Sequence, residues 1–96
     1  MSGVVFEWDP AKAVANPAKP GVTFEEALTV FVDPMARIHG DPDHSGAARR
    51  EIIVGHSIHQ RLLLVSFVES GEKVRLISAR VATKRERRDY EEKDKG

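Results

Sequence analysis

Residues 50–80 read REIIVGHSIHQRLLLVSFVESGEKVRLISAR, and three apolar runs within this stretch decide the fold. The runs 50–56, 61–68 and 74–80 are rich in Val, Ile, Leu and Phe, which is typical of β-strands. The intervening segments, 57–60 and 69–73, are short, and the second contains the turn-forming pair Ser70-Gly71. Because such segments are too short for crossover helices, the spacing predicts an antiparallel meander.

The middle run needs cover on two sides. Residues 62–68 are apolar except for Ser66, which predicts a central strand with both faces buried. Two helices can supply the cover, one over about 23–31 and one over about 83–94. Each begins with a Thr-x-x-Glu capping box, Thr23 to Glu26 and Thr83 to Glu86, in which the hydroxyl and the carboxylate each accept a backbone N–H. The first helix also repeats apolar residues at helical spacing.

Shorter signals complete the predicted architecture. Asp9-Pro10 predicts the start of a short helix over 10–15, and Asn16-Pro17 predicts its end. Residues 35–39 can form a further strand, and residues 40–46 are rich in turn formers. We therefore expect one α+β domain over 1–96, with an antiparallel sheet of about four strands, N-terminal helices and a C-terminal helix.

Composition excludes several classes of function. Without cysteine, the chain has no disulfide, no thiol nucleophile and no cysteine-ligated zinc. No apolar run approaches the roughly 20 residues of a membrane span, and residues 1–9 lack the features of a signal peptide. His56 and His59 have the spacing of a ligand pair, but exposed turn histidines are the simpler interpretation. We expect a soluble, cytoplasmic protein that uses no metal or other cofactor and contacts no membrane.

Charge is divided unevenly along a chain of zero net charge. Residues 1–48 hold three basic and seven acidic residues, whereas residues 49–96 hold twelve basic and eight acidic residues. The basic stretch 75–88 contains one acid, Glu86, and the cations Arg75, Arg80, Lys84, Arg85, Arg87 and Arg88. Arginine forks and helix N-terminal amides bind phosphate, so this strand–helix junction is a candidate phosphate site. The alternative is a solvated helix paired with its own acids.

Strand alternation limits how these cations can cooperate. Arg75 and Arg80 are five residues apart, so a regular strand places them on opposite faces unless it bulges. His44, in the turn-rich segment, is a candidate for proton transfer because imidazole titrates near neutrality. Trp8 and Tyr90 could stack on nucleobases or serve as core contacts.

Three segments together resemble a known family. They are Phe6-Glu7-Trp8-Asp9-Pro10-x-Lys12, then Asn16-x-x-Lys19-x-Gly21-Val22-Thr23-Phe24-Glu25-Glu26-Ala27, and Val74-Arg75-Leu76-Ile77-Ser78-Ala79-Arg80-x-Ala82-Thr83-x-x-Glu86-x-x-x-Tyr90-Glu91. Nearly the whole chain in this way resembles the BrnT family of toxins. The resemblance implies a RelE-like fold, endoribonuclease activity on cellular RNA, and a cognate BrnA-like antitoxin with a ribbon-helix-helix part. Operator DNA would then be contacted only indirectly, through the antitoxin.

The resemblance also implies a set of site residues. Metal-independent transesterification by the RNA 2′-hydroxyl needs a proton acceptor and cations. Arg50 and Arg80 are the candidate cations, and the proton-transfer candidates, in falling order, are His44, Glu86, Lys19 and Tyr90. Glu86 could instead only cap the last helix. The residues expected to bind RNA are Trp8, Arg75, Lys84, Arg85, Arg87 and Arg88.

Two departures from the family pattern leave other functions open. Lys19-Pro20-Gly21 stands where the family usually has lysine-histidine-glycine, and Ala48-Arg49-Arg50 where it has glutamate-glutamate-arginine. The first alternative is therefore a module that binds antitoxin and nucleic acid without cleaving it. The second is a regulatory protein that binds an acidic peptide through its basic helix.

Overall fold

One mixed sheet organises the chain in the computed structural model, which describes residues 4–10, 21–40 and 50–95. Its five strands are β1 (Val5–Trp8), β2 (Arg37–Gly40), β3 (Arg50–His56), β4 (Leu62–Ser70) and β5 (Lys73–Val81). The helices in these ranges that we number are α1 (Phe24–Val30) and α2 (Lys84–Lys95). The strand order is β1-β5-β4-β3-β2, so β4 is central.

The predicted meander is confirmed, but the expected sheet is incomplete. Strands β2 to β5 pair antiparallel in chain order. The expectation of about four strands, all antiparallel, is wrong because β1 adds a fifth strand that runs parallel to β5. Four residues are too few for a periodic pattern to reveal. Tertiary contacts hold β1 in place: Phe6 lies 5.0 Å from Phe31, and Trp8 stacks on Phe24 at 5.7 Å between ring centroids.

Helix α1 covers one face of the sheet. Its side chains Phe24, Ala27 and Val30 are buried against the inward-facing residues of β3, β4 and β5. On β4 these inward residues are Leu63, Val65 and Phe67, none more than 1% exposed. This face therefore holds the main core of the protein.

Helix α2 covers part of the opposite face. Tyr90 is buried there in a smaller cluster with Val54 and Leu62, and Leu62 is fully buried. The apolar sequence of β4 thus predicted its central position and its two-sided cover. The helix predicted over 10–15 lies almost entirely outside the described residues, as does most of the turn-rich segment 40–46.

A buried carboxylate ties α1 to the turn between β3 and β4. Thr23 Oγ1 accepts the Glu26 N–H at 3.0 Å, as the capping box predicts. The Glu26 carboxylate does not reach back to Thr23: it accepts two hydrogen bonds from the Arg61 guanidinium and one from the Ser57 hydroxyl. Hydrogen bonding to Arg61 lowers the pKa of Glu26 from 4.5 to about 2, although burial opposes the shift.

Glu26→Gln should destabilise the protein by about 1.5–3 kcal/mol, since charge-assisted hydrogen bonds to a buried group are lost. The folded-state pKa of Glu26 is below its ordinary value, so this stabilisation is present above about pH 4.5 and declines as the pH falls toward 2. Chemical denaturation across this range measures it. The matched control is Glu25→Gln, on the exposed side of α1. Equal effects of the two substitutions would contradict the assigned role of Glu26.

Candidate nucleic-acid interface

The sheet surface that α2 covers only in part presents three rows of side chains. Strand pairing identifies the members of each row, because residues directly opposite one another point to the same side. We call these twelve residues the groove face. The first row is Arg37, Val54, Leu64 and Arg80, the second is His39, Ile52, Ser66 and Ser78, and the third is Arg50, Val68, Arg75 and Glu7.

The groove face has an apolar and hydroxyl floor within a basic frame. Its middle strands β3 and β4 contribute the buried or half-buried residues Ile52, Val54, Leu64, Ser66 and Val68. The four arginines occupy the outer positions or the end of the third row, and three of them are exposed. A floor of this kind suits flat apolar groups, and the frame suits phosphates.

A β-bulge in β5 brings Arg75 and Arg80 to the same face. Ser66 pairs with Ser78, but the next residue, Phe67, pairs with Leu76, so Ile77 is an extra residue in β5. The exception that strand alternation allowed is therefore the observed geometry. Arg75 additionally pairs with Glu7 of β1, at 3.1 Å between Nη1 and Oε2.

Arg80 is held by the carboxylate that caps α2. Its Nη1 and Nη2 each donate to a different oxygen of Glu86 at 2.7 Å. Glu86 Oε1 also accepts the Thr83 N–H at 2.8 Å, and Thr83 Oγ1 accepts the Glu86 N–H at 3.1 Å, which completes the predicted capping box. The bidentate pair fixes the direction of a guanidinium whose side chain is 55% exposed.

The same pairing makes Glu86 a poor proton acceptor. Hydrogen bonding to Arg80 is the largest cause that lowers the pKa of Glu86 from 4.5 to about 2, with a further contribution from the Thr83 amide. The carboxylate is therefore ionised and weakly basic at neutral pH. Its geometry is that of a helix cap that positions Arg80.

Tyr90 anchors α2 to the groove face. Its hydroxyl donates to the carbonyl oxygen of Met35 at 2.8 Å, and its ring is only 7% exposed. The Arg37 guanidinium lies over this ring at 5.7 Å from the centroid, and His56 contacts it edge-on at 5.7 Å. Because its hydroxyl donates to a backbone carbonyl, Tyr90 acts here as a structural contact.

A cavity of about 220 Å³ lies where α2 meets the groove face. Val54, Leu64 and Tyr90 form its apolar part. Its polar part consists of Arg37, His39, Glu86 and Asp89. We call this cavity the α2 pocket. It adjoins Arg80, since Arg80 pairs across the strands with Leu64 and through its side chain with Glu86.

The remaining sequence candidates are distributed unevenly. Arg50 is half-buried in the third row, and Trp8 is half-buried against the α1 core. Lys84, Arg85, Arg87 and Arg88 are exposed on α2. On a helix of 3.6 residues per turn, Lys84 and Arg88 lie on the side opposite Glu86 and Tyr90. Lys19 and His44 lie outside the described residues, as do Pro20 and Arg49.

Sequence reasoning assigned no site role to Arg37, His39 or Asp89. The alternation Arg37-Ile38-His39 could have placed Arg37 and His39 on one face, but only the pairing of β2 with β3 places that face on the groove. Asp89 follows Glu86 by three residues, the spacing at which helical residues share a face.

Two further features bear on chemistry. Within 4–10, 21–40 and 50–95, no three histidine, aspartate or glutamate side chains are grouped to hold a metal ion. None of the helices in these ranges is long and apolar enough to cross a membrane.

Comparison with known proteins identifies one family. A family model described as "Ribonuclease toxin, BrnT, of type II toxin-antitoxin system" matches residues 8–86. The match spans most of the sheet and ends at Glu86, so it includes every groove-face residue except Glu7. No curated protein matches the chain.

Glu86→Gln should loosen the start of α2 and release Arg80. We expect a loss of about 1 kcal/mol in the free energy of unfolding, the usual contribution of a helix cap. Amide hydrogen exchange should quicken in α2 more than in β4. Glu91→Gln, an exposed change on the same helix, is the control. If the two variants unfold and exchange alike, Glu86 does not hold this helix.

Proposed function

Because the chain belongs to the BrnT family of ribonuclease toxins of type II toxin–antitoxin systems, we propose that it is an endoribonuclease that cleaves cellular RNA on the groove face. The observation that carries the proposal is Arg80, an exposed guanidinium held by Glu86 at the edge of an apolar floor. A cation fixed in direction can stabilise charge that develops in a transition state. Family membership supports the substrate class, and the groove face supports the location.

The proposed reaction uses the 2′-hydroxyl of the RNA as nucleophile and requires no metal ion. A base removes the 2′-hydroxyl proton, the 2′-oxygen attacks the adjacent phosphorus, and the bond to the 5′-oxygen breaks. The departing 5′-oxygen takes a proton. The products are a 2′,3′-cyclic phosphate and a 5′-hydroxyl, and the protein's task is proton transfer and stabilisation of the phosphorane.

Arg80 and Arg50 are the proposed cations. They occupy the first and third rows of the groove face, and the second row between them carries Ser66 and Ser78. Two hydroxyl donors between two guanidinium groups suit a phosphate with several charged oxygens. We place the reacting phosphate over this second row, nearer to Arg80.

Histidine is the proposed proton acceptor. Glu86 is weakly basic because of Arg80, and the Tyr90 hydroxyl donates to Met35. Lys19 and His44 stay predictions from the sequence. His39 joins His44 as a candidate because it lies in the second row and borders the α2 pocket. An imidazole is the ordinary side chain for proton transfer near neutral pH.

The arginines of α2 are proposed to add affinity. Lys84, Arg85, Arg87 and Arg88 project from the exposed parts of the helix, where they can neutralise phosphates along the RNA. Arg75 contributes from the sheet, although it is shared with Glu7. Trp8 keeps its predicted contact with RNA only as a proposal, because its ring packs on Phe24.

A type II system implies a protein antitoxin, and we propose how it binds. The arginines of the groove face form a target for an acidic segment of the partner, which would cover the same phosphate-binding surface. We further propose that the antitoxin carries a ribbon-helix-helix part that contacts operator DNA. The toxin, acting on cellular RNA, would work in the cytoplasm.

Arg80→Ala should lower the saturated rate of RNA cleavage by on the order of 100-fold or more, the usual loss for one transition-state contact. Single-turnover cleavage of a labelled RNA, with saturating protein in EDTA, measures the rate. Arg88→Gln, on the far side of α2, is the control. It should keep the saturated rate and reduce the salt dependence of binding by about 0.7 per lost phosphate contact.

Thermal unfolding of both variants separates loss of the fold from loss of the cation. The assignment is wrong if Arg80→Ala changes affinity alone. If the wild type cleaves no RNA, the alternative function stands: a module that binds antitoxin and nucleic acid without cleavage.

A further inference from the structure

The α2 pocket has the size and lining for a single flat ring system. Its volume is about 220 Å³, and an engineered cavity of about 150 Å³ already holds benzene. Val54 and Leu64 provide an apolar floor, and Tyr90 closes one side. These surfaces favour an aromatic ligand that gains by leaving water.

The polar groups of the pocket are of two kinds. Arg37 brings a guanidinium that lies over Tyr90, so the flat side of the guanidinium is used in stacking and its edge carries the hydrogen-bond donors. Asp89 brings an exposed carboxylate from α2. Glu86, the other carboxylate, is engaged with Arg80 and Thr83. A ligand here meets a forked donor and a forked acceptor.

We propose that the α2 pocket binds a guanine base of the RNA. This inference deepens the proposed function and rests on it for the identity of the polymer. Guanine presents two neighbouring acceptors, O6 and N7, which match a guanidinium fork. It also presents two neighbouring donors, N1–H and N2–H, which match a carboxylate. The Arg37 fork and the Asp89 carboxylate supply these complements.

The other bases satisfy only part of this lining. Adenine has an unprotonated N1 that a carboxylate repels, and it offers a single amino group. Cytosine has one amino group beside an unprotonated ring nitrogen, and uracil has one N–H between two carbonyl oxygens. Guanine alone offers two adjacent donors together with two adjacent acceptors, so the pocket should select it.

The pocket position also places the bound nucleotide relative to the reaction. Leu64 of the pocket floor pairs directly with Arg80, and Glu86 of the pocket wall binds the Arg80 guanidinium. A guanine seated on Leu64 therefore has its own phosphate within the neighbourhood of Arg80. Cleavage should then occur at a bond next to a guanosine.

Binding of mononucleotides tests the pocket without requiring cleavage. Titration of the wild type by NMR should show that guanosine monophosphate binds at least about fivefold more tightly than adenosine monophosphate, the smallest effect expected of one bidentate contact. Inosine monophosphate, which lacks the 2-amino group, should bind more weakly than guanosine monophosphate. Equal binding of the three nucleotides would overturn the inference.

Asp89→Asn is the decisive variant. It should remove the preference for guanosine over inosine monophosphate, since an amide can no longer accept both donors. Glu92→Gln, an exposed change elsewhere on α2, should preserve the preference. Thermal unfolding checks that both variants fold, and Arg37→Gln tested with 7-deazaguanosine monophosphate provides an independent measurement of the opposite edge. Unchanged selectivity in both Asp89→Asn and Arg37→Gln would overturn the inference.

Cleavage assays distinguish the failure of this inference from the failure of the proposed function. If RNA is cleaved in an Arg80-dependent way at every base alike, the proposed function stands and the guanine pocket is wrong. If guanosine monophosphate binds selectively through Asp89 but no RNA is cleaved, the pocket is right and the catalytic proposal fails.

Discussion

Burial of β4 on both faces is the constraint on which the rest of the structure depends. Leu63, Val65 and Phe67 require α1 on one side, and Leu62 requires cover on the other. Tyr90 provides that second cover from a helix that is otherwise almost entirely polar. Because one aromatic anchor cannot cover a five-stranded sheet, much of the second face remains open. That open surface is the groove face.

A single carboxylate links the fold to the proposed chemistry. Glu86 caps α2 through Thr83 and holds Arg80 at the end of β5. The start of the helix and the direction of the guanidinium are therefore set together. The pairing also explains why Glu86, attractive from the sequence as a proton acceptor, suits a positioning role better: its lowered pKa results from the same contact.

The sequence predicted much of the fold and part of the site. The apolar run of β4, the short turns and the Thr83 capping box each depend on local spacing, and each is confirmed. The parallel strand β1 depends on tertiary contacts of only four residues, so periodicity could not reveal it. The β-bulge at Ile77 placed Arg75 and Arg80 together, and strand alternation could state only the condition for it. His39 and Asp89 were missed because a shared pocket depends on strand register and helix docking.

The most direct measurement of the central claim uses an RNA that carries a single 2′-deoxynucleotide at the cleaved position, incubated with the wild-type protein in EDTA. Attack by the 2′-hydroxyl predicts that the unmodified RNA gives 2′,3′-cyclic phosphate and 5′-hydroxyl ends, and that the deoxy substitution abolishes cleavage at that bond. Cleavage that persists at the 2′-deoxynucleotide, or that leaves 5′-phosphate ends, would contradict the mechanism.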